Sequence, residues 1–127
     1  MAGAPIPADM QGVSLVPLLR GKIPADWRTS IYYHYYEYPS VHMVPRHYGI
    51  RTERHKLMHF YEFGEWEFYD LGSDPEELAN LYGSPEHAGT IRQTKRALEE
   101  LRAKYQDDSD VTLKPAEWRA KFRPPLQ

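Results

Sequence analysis

The residue types best suited to chemistry are concentrated between Ile31 and Tyr61. This stretch holds five of the six histidines of the chain and many of its tyrosines. Inside it lies a loop with the sequence EYPSVHMVPRH, whose two prolines disfavour regular structure. Four of its side chains are candidates for binding a ligand: Glu37, His42, Arg46 and His47. A guanidinium or an imidazolium donates charge-assisted hydrogen bonds in fixed directions, so the residues of this loop have the chemistry to bind an anionic or hydroxylated ligand.

Histidines beside aromatic strand residues also have a structural explanation. Such side chains often form a packed cluster in which each imidazole has a protein partner. This explanation competes with ligand binding for His42 and His47, and we prefer it for His34, His55 and His59. A metal site is a third interpretation. We disfavour it because His55 and His59 would lie roughly 13 Å apart along a strand, too far for one ion to bridge.

The composition of the chain excludes several functions. The 127 residues are enough for one domain with a single core. The formal charge of -2 provides no field to attract nucleic acid or an anionic membrane. Without cysteine there is no disulfide, thiolate zinc site or cysteine nucleophile. No apolar run reaches membrane length, and the opening MAGAPIPADMQG lacks the basic and apolar regions of a signal peptide, so the compartment stays open.

Strands are the elements that must position the loop. Alternating and aromatic-rich runs predict four of them, and the connections after the second and third are short enough for hairpins. The predicted strands are 31–36, 48–52, 55–61 and 66–71. On the first strand, Tyr33 and Tyr35 share one face while Tyr32 and His34 share the other. We therefore predict an antiparallel sheet of about four strands, with the loop between the first two.

One long amphipathic helix is predicted to cover this sheet. Ser84 is the expected N-cap, and Pro85 is expected at the first helical position. The apolar stripe recurs at helical spacing and consists of Ile91, Leu98, Leu101 and Tyr105. The charged residues between these positions lie on the opposite side, so we interpret this helix as a cover for the core.

The predicted fold class is α+β: a small antiparallel sheet packed against one C-terminal amphipathic helix, with coil at both ends. The chain divides into a lead-in at 1–29, a folded unit at 30–105 and a tail at 106–127. We expect a short docking turn capped by Ser14 in the lead-in. Further short helical turns are expected at 76–82 and around Trp118 and Phe122.

Both faces of the predicted sheet carry apolar side chains. On the third strand, Leu57 and Tyr61 lie on one face, and Met58 and Phe60 lie on the other. A single helix can cover only one of these faces. We therefore expect part of the partner surface to lie outside this chain, and we expect the isolated chain to self-associate.

Several blocks of the sequence strongly resemble the C-terminal subdomain of bacterial sulfatases of the arylsulfatase and glycosaminoglycan-sulfatase family. These blocks are GVSLVPLLRGK, HYGIRTERHKLMHFY, WEFYDLGSDPEELANLYG and the closing helix. The resemblance covers the chain from about Ala4 to about Tyr105. The segment YYEYPSVHMVPRHYGIRT is similar to the version in enzymes acting on 6-sulfated amino sugars, such as N-acetylglucosamine-6-sulfatases. The resemblance implies a four-stranded sheet that docks on a large α/β catalytic domain.

The catalytic groups of that family have no counterpart in this sequence. The family makes a formylglycine from a Cys/Ser-x-Pro-x-Arg motif and binds calcium through Asp and Asn side chains of the N-terminal domain. The nearest pattern here begins at Ser73 and has Glu77 where arginine is required. We therefore expect this chain alone to be inactive and expect calcium and formylglycine in a catalytic domain outside it. The parent enzyme is expected to be periplasmic or extracellular.

The resemblance implies a role in substrate specificity for the loop. In this hypothesis the loop reaches the rim of the catalytic pocket and contacts a sulfated saccharide, with His47 as the first candidate. The alternative is a stand-alone module that binds sulfated carbohydrate, for which Tyr32, Tyr36 and Trp66 would provide stacking faces.

Overall fold

Four antiparallel strands and one long helix form the fold, as predicted. The computed structural model describes residues 7, 9–38 and 41–108. The elements in chain order are α1 (Val16–Leu19), β1 (Ser30–Tyr35), β2 (His47–Thr52), β3 (His55–Phe60), β4 (Glu65–Asp70), a 3-10 turn (Pro85–His87) and α2 (Ala88–Tyr105). The predicted α+β class is confirmed. The expected turn around Trp118 and Phe122 lies outside the described residues.

The sheet is a simple meander in the order β1-β2-β3-β4, with every pair antiparallel. Tyr35 lies opposite His47, so the loop leaves β1 and enters β2 at one end of the sheet. Leu57 lies opposite both Ile50 and Phe68, which sets one continuous apolar row across three strands. Both ends of each strand lie within one residue of the predicted bounds.

The core lies between one face of the sheet and α2. Ile50, Leu57 and Phe68 are fully buried on the sheet, and Leu98 is fully buried on the helix. Ile91 of α2 belongs to the same buried cluster. The predicted apolar stripe of α2 is thus confirmed as the cover of the core.

The segment between β4 and α2 differs from the prediction. The helical turn predicted at 76–82 is wrong, because this segment contains only turns and bends. The Asp74 carboxylate instead accepts hydrogen bonds from the backbone N–H groups of Leu78 and Ala79 at 3.1 and 2.9 Å. The Asn80 amide bonds the backbone of β4, accepting from the Phe68 N–H at 3.1 Å. Side-chain bonds of this kind compete with helix formation and here protect the sheet edge.

The start of the long helix also differs in detail. Ser84 has an extended backbone, as an N-cap requires, but its hydroxyl makes no capping bond. A 3-10 turn begins at Pro85, and α2 follows at Ala88. At α1 the N-cap is Leu15, not the predicted Ser14, and Leu15 makes no side-chain capping bond. The Ser14 hydroxyl lies one residue earlier and accepts a bond from the Val16 N–H at 3.3 Å.

A bidentate ion pair joins the β2–β3 turn to the end of β4. Arg54 Nε and Nη2 donate to the two Asp70 carboxylate oxygens at 3.0 and 2.8 Å. The Gly72 N–H adds a bond to the same carboxylate at 3.1 Å. These bonds favour the ionised form and hold the pKa of Asp70 far below its usual range. Asp70, in the sequence YDLGSDP, therefore connects the end of β4 with the β2–β3 turn.

We predict that Asp70→Asn removes part of the acid sensitivity of the fold. The pKa of Asp70 is lower in the folded chain than in the unfolded chain, so its contribution to stability is complete above about pH 5 and declines as the pH falls. The variant should be less stable than wild type at neutral pH, with the difference narrowing below pH 4. Thermal unfolding across pH measures this, with the exposed Asp26→Asn as control. A constant difference at every pH would contradict the assignment.

We predict that Leu98→Ala lowers the free energy of unfolding by about 2–5 kcal/mol, because it opens a cavity under the sheet. Leu98 is fully buried. Leu78 is 85% exposed, so Leu78→Ala is the matched control and should change stability by less than about 0.5 kcal/mol. Urea denaturation measures both variants, and similar losses for the two would show that α2 does not cover the core.

Candidate functional site

The predicted binding loop begins after β1 and ends at β2. Of this loop the structure describes 36–38 and 41–46. Tyr48 and Ile50 of β2 are buried against α2, so the alternation of the strand places His47 on the opposite sheet face. His47, the first residue of β2, is therefore positioned by a strand and not by the loop.

His47 is held in one orientation by its neighbours. Its Nδ1 lies 2.8 Å from the Pro45 carbonyl oxygen, which can only accept, so Nδ1 carries the hydrogen. The ring stacks on Tyr35 at 5.5 Å between centroids and contacts Phe60 at 4.9 Å. The bond at Nδ1 leaves Nε2 as an acceptor in the neutral ring and as a donor in the charged ring. A half-buried imidazole fixed in this way is suited to binding a polar group of either kind.

Arg46 is engaged with the protein itself. Its Nη2 donates to the Tyr38 carbonyl oxygen at 2.5 Å, and its Nη1 lies 3.4 Å from Glu62 Oε1. The Arg46 side chain is 17% exposed and the Glu62 side chain 2% exposed. Burial raises the pKa of the Glu62 carboxyl, and the nearby Arg46 guanidinium opposes that rise. Arg46 therefore joins the loop to the β3–β4 turn.

The other two candidates lie on the surface of the same loop. Glu37 and His42 are exposed, and within the described part of the chain no hydrogen bond or ion pair connects them with Arg46 or His47. Met43, between them and β2, has the left-handed φ of 49°. The structure thus brings Arg46 and His47 together at the start of β2 and leaves Glu37 and His42 apart from them.

His34 belongs to a polar network that ties the end of α2 to β1. Its Nδ1 donates to Asp107 Oδ2 at 2.6 Å, and its Nε2 lies 3.0 Å from the Tyr61 hydroxyl. The Tyr32 hydroxyl donates to the same Asp107 oxygen at 2.5 Å. This network agrees with the structural explanation preferred for His34. No residue pattern indicates this network, because Asp107 follows α2 and lies 73 residues after His34 in the chain.

The remaining histidines of the sheet are also packed against protein groups. His59 Nδ1 is hydrogen-bonded to the Tyr48 hydroxyl at 2.9 Å. The His59 ring stacks on Trp66 with 4.0 Å between the ring centroids. His55 stacks on Phe68 at 5.4 Å, and burial lowers its pKa. Each imidazole is thus part of the aromatic packing around the core.

The proposed stacking faces for a sugar are partly occupied. Trp66 contacts His59, and the Lys95 ammonium lies 3.9 Å from the centroid of its ring. Tyr36 stacks on His34 at 3.9 Å. Of these rings Tyr36 remains 57% exposed. The aromatic residues therefore pack mainly with one another.

The described residues do not fit the calcium site or the formylglycine of the sulfatase family. Within 7, 9–38 and 41–108, no three His, Asp or Glu side chains lie together in an arrangement that could hold a metal ion. The Ser73 hydroxyl lies in the turn after β4, where it donates to the Asp70 carbonyl at 3.3 Å.

No helix in the described part of the chain is both long enough and apolar enough to span a membrane.

Sequence comparison finds sulfatases among the relatives of this chain. It is 51% identical over 110 residues to the N-acetylglucosamine-6-O-sulfatase of Bacteroides thetaiotaomicron, covering 84% of this chain and 20% of that protein. It is 31% identical over 116 residues to the Delta 4,5-hexuronate-2-O-sulfatase of the same bacterium, covering 85% and 22%. The chain therefore spans about a fifth of the length of these curated relatives.

Solved structures share the fold described above. A protein solved in complex with its substrate D-glucosamine-2-N,6-O-disulfate superposes with a TM-score of 0.82 and 47% identity, over 88% of this chain and 23% of the other. A 2-O GAG sulfatase superposes with a TM-score of 0.76 and 28% identity, over 88% and 24%.

The resemblance found in the sequence blocks is confirmed by these relatives and by a family match. Residues 1–104 match the family described as N-sulphoglucosamine sulphohydrolase, C-terminal. The match includes the whole sheet and nearly all of α2. The chain belongs to this family and is a sulfatase C-terminal subdomain.

Proposed function

We propose that this chain is the substrate-specificity subdomain of a longer sulfatase that hydrolyses sulfate esters of amino sugars. Two facts support the proposal: the 51% identity to an N-acetylglucosamine-6-O-sulfatase, and the coverage of only 20% of that protein. The catalytic domain would lie outside this chain, as would the formylglycine and calcium that the resemblance implies. The substrate would be a 6-sulfated amino sugar.

The observation that carries the proposal is the fixed orientation of His47. Its ring is anchored at Nδ1 by the Pro45 carbonyl and on one side by Tyr35, and it stands on a strand rather than on the loop. A binding group held by a rigid element is positioned more accurately than one on a mobile segment. We propose that Nε2 of His47 bonds a hydroxyl or sulfate oxygen of the saccharide.

The other candidates are assigned supporting roles. Glu37 and His42 are exposed on the same loop and would contact the outer part of the saccharide. Arg46 would act through the loop that it fastens, since its guanidinium is directed toward Glu62 and the Tyr38 carbonyl. A specificity subdomain of this kind binds the sugar and leaves the bond-breaking groups to the other domain.

The stand-alone carbohydrate-binding module is the weaker candidate. Such modules need aromatic faces open to the sugar. Tyr32 stacks on Tyr105 at 5.9 Å, and Trp66 contacts both His59 and Lys95. Of the three rings only Tyr36 stays largely exposed, at 57%. One open ring is a small stacking surface, which favours the specificity subdomain.

We predict that His47→Ala in the full-length enzyme lowers kcat/KM for a 6-sulfated glucosamine by about 10- to 100-fold, the effect of one lost hydrogen bond to a buried or charged partner. Turnover of a small aryl sulfate, which cannot reach the loop, should change by less than about threefold. Steady-state kinetics on both substrates measure this. His87→Ala is the matched control, because His87 packs on Phe68 on the opposite sheet face. Equal losses on both substrates would contradict a specificity role.

We predict that the 127-residue chain alone binds sulfated glucosamine too weakly to detect at about 1 mM, because half of the pocket would be missing. Isothermal titration calorimetry measures this, with unsulfated glucosamine as the control ligand. Sulfate-dependent binding by the chain alone would favour the stand-alone module instead.

A further inference from the structure

A buried carboxylate stands beside the predicted binding loop. Glu62 lies in the turn between β3 and β4, where glutamate side chains usually reach solvent, yet it is 2% exposed. Asp70 is the other buried acid in the described part of the chain, and its bidentate bond to Arg54 explains its burial. Glu62 has no such role in closing the sheet.

Glu62 and Arg46 together connect three separate segments. Its Oε1 lies 3.4 Å from Nη1 of Arg46, at the entrance to β2. The other arm of the same guanidinium, Nη2, donates to the Tyr38 carbonyl at 2.5 Å, just after β1. Two residues before Glu62, the ring of Phe60 contacts His47 at 4.9 Å. Glu62 in the β3–β4 turn thus contacts the end of the loop through Arg46, and the same guanidinium connects it with the start of the loop at Tyr38.

Burying the Glu62 carboxylate costs free energy of folding. Removing a carboxylate from water disfavours its charged form, and the pKa of Glu62 is raised for that reason. The attraction of Arg46 counteracts this effect. Ion pairs of this kind add little to stability compared with an apolar pair, whereas they can specify one geometry. A role in fixing the geometry of the loop would explain why the carboxylate is buried despite its desolvation cost.

We propose that Glu62 is a positioning residue for saccharide recognition: it holds the Arg46 guanidinium on the Tyr38 carbonyl and so fixes the loop in the arrangement that presents His47 to the sugar. The inference rests on the proposed function and deepens it. Glu62 itself touches no substrate. Its effect reaches the sugar through Arg46 and the two ends of the loop.

A direct role for Arg46 makes the opposite prediction. If the Arg46 guanidinium itself bound the sulfate group, Glu62 would compete with the substrate for the same donors. Neutralising Glu62 would then leave sulfate binding unchanged or improve it. If Glu62 positions the loop, the same change weakens recognition of the saccharide.

The test compares Glu62→Gln with wild type in the full-length enzyme. We expect kcat/KM for 6-sulfated glucosamine to fall by about tenfold, mainly through KM, with aryl sulfate turnover within about twofold. Glu77→Gln is the matched control, since the Glu77 carboxylate is also ion-paired, with Arg51 and Lys56, at the far end of the sheet. It should change neither substrate by more than about twofold. Arg46→Lys keeps the charge but loses the second arm and should give an intermediate loss.

The outcomes separate this inference from the proposed function. A selective loss in both Glu62→Gln and His47→Ala supports the positioning role. A selective loss in Glu62→Gln alone keeps Glu62 as a positioning residue for the loop but overturns the presentation of His47 to the sugar. An unchanged or improved KM in Glu62→Gln, with a selective loss in His47→Ala, overturns the positioning role and leaves the proposed function intact. Equal losses on both substrates overturn it as well. If Glu62→Gln fails to fold, Glu62→Asp takes its place, because it keeps the charge but withdraws the carboxylate from Arg46. A selective loss in Glu62→Asp supports the positioning role, and an unchanged or improved KM overturns it.

Discussion

The alternation of side chains along β2 determines which residues enter the core and which face the loop. Tyr48 and Ile50 must face α2 to complete the core, so His47 and Gly49 must face the other way. The Tyr33 ring lies directly over Gly49, where any Cβ would come within 2.6 Å of that ring and 2.5 Å of a backbone oxygen of β3. The register of β1 on β2 therefore requires glycine at this position. A slip of one residue would bury His47 and expose the core.

Polar contacts then determine what the apolar core leaves free. The core holds the sheet against α2, but it does not determine where the chain goes between the strands. Three contacts do so: Arg54 with Asp70 closes the far end of the sheet, Asp107 with His34 ties down the end of α2, and Arg46 with Glu62 fastens the loop. In each of them a charged group beside β1, β2 or β3 reaches a group distant in the sequence.

The sequence was sufficient for those parts of the fold that depend on periodicity. Alternating residues identified all four strands, and the stripe that includes Leu98 identified the helix. The segment at 76–82 was missed because Asp74 and Asn80 bond the backbone through their side chains, which residue patterns do not reveal. Glu62 was missed because a glutamate in a hairpin turn has the same sequence context whether it is solvated or buried. Of the predicted site, the proximity of Arg46 and His47 followed from adjacency, whereas the inward direction of Arg46 depended on a partner sixteen residues away.

A crystal structure of the full-length enzyme with 6-sulfated glucosamine would show whether a saccharide contacts this subdomain. We predict that Nε2 of His47 lies within about 3 Å of a saccharide oxygen. We also predict that Arg46 remains on Glu62 and the Tyr38 carbonyl in that complex. A saccharide held entirely by the catalytic domain, with the loop out of contact, would contradict a role of this subdomain in substrate specificity.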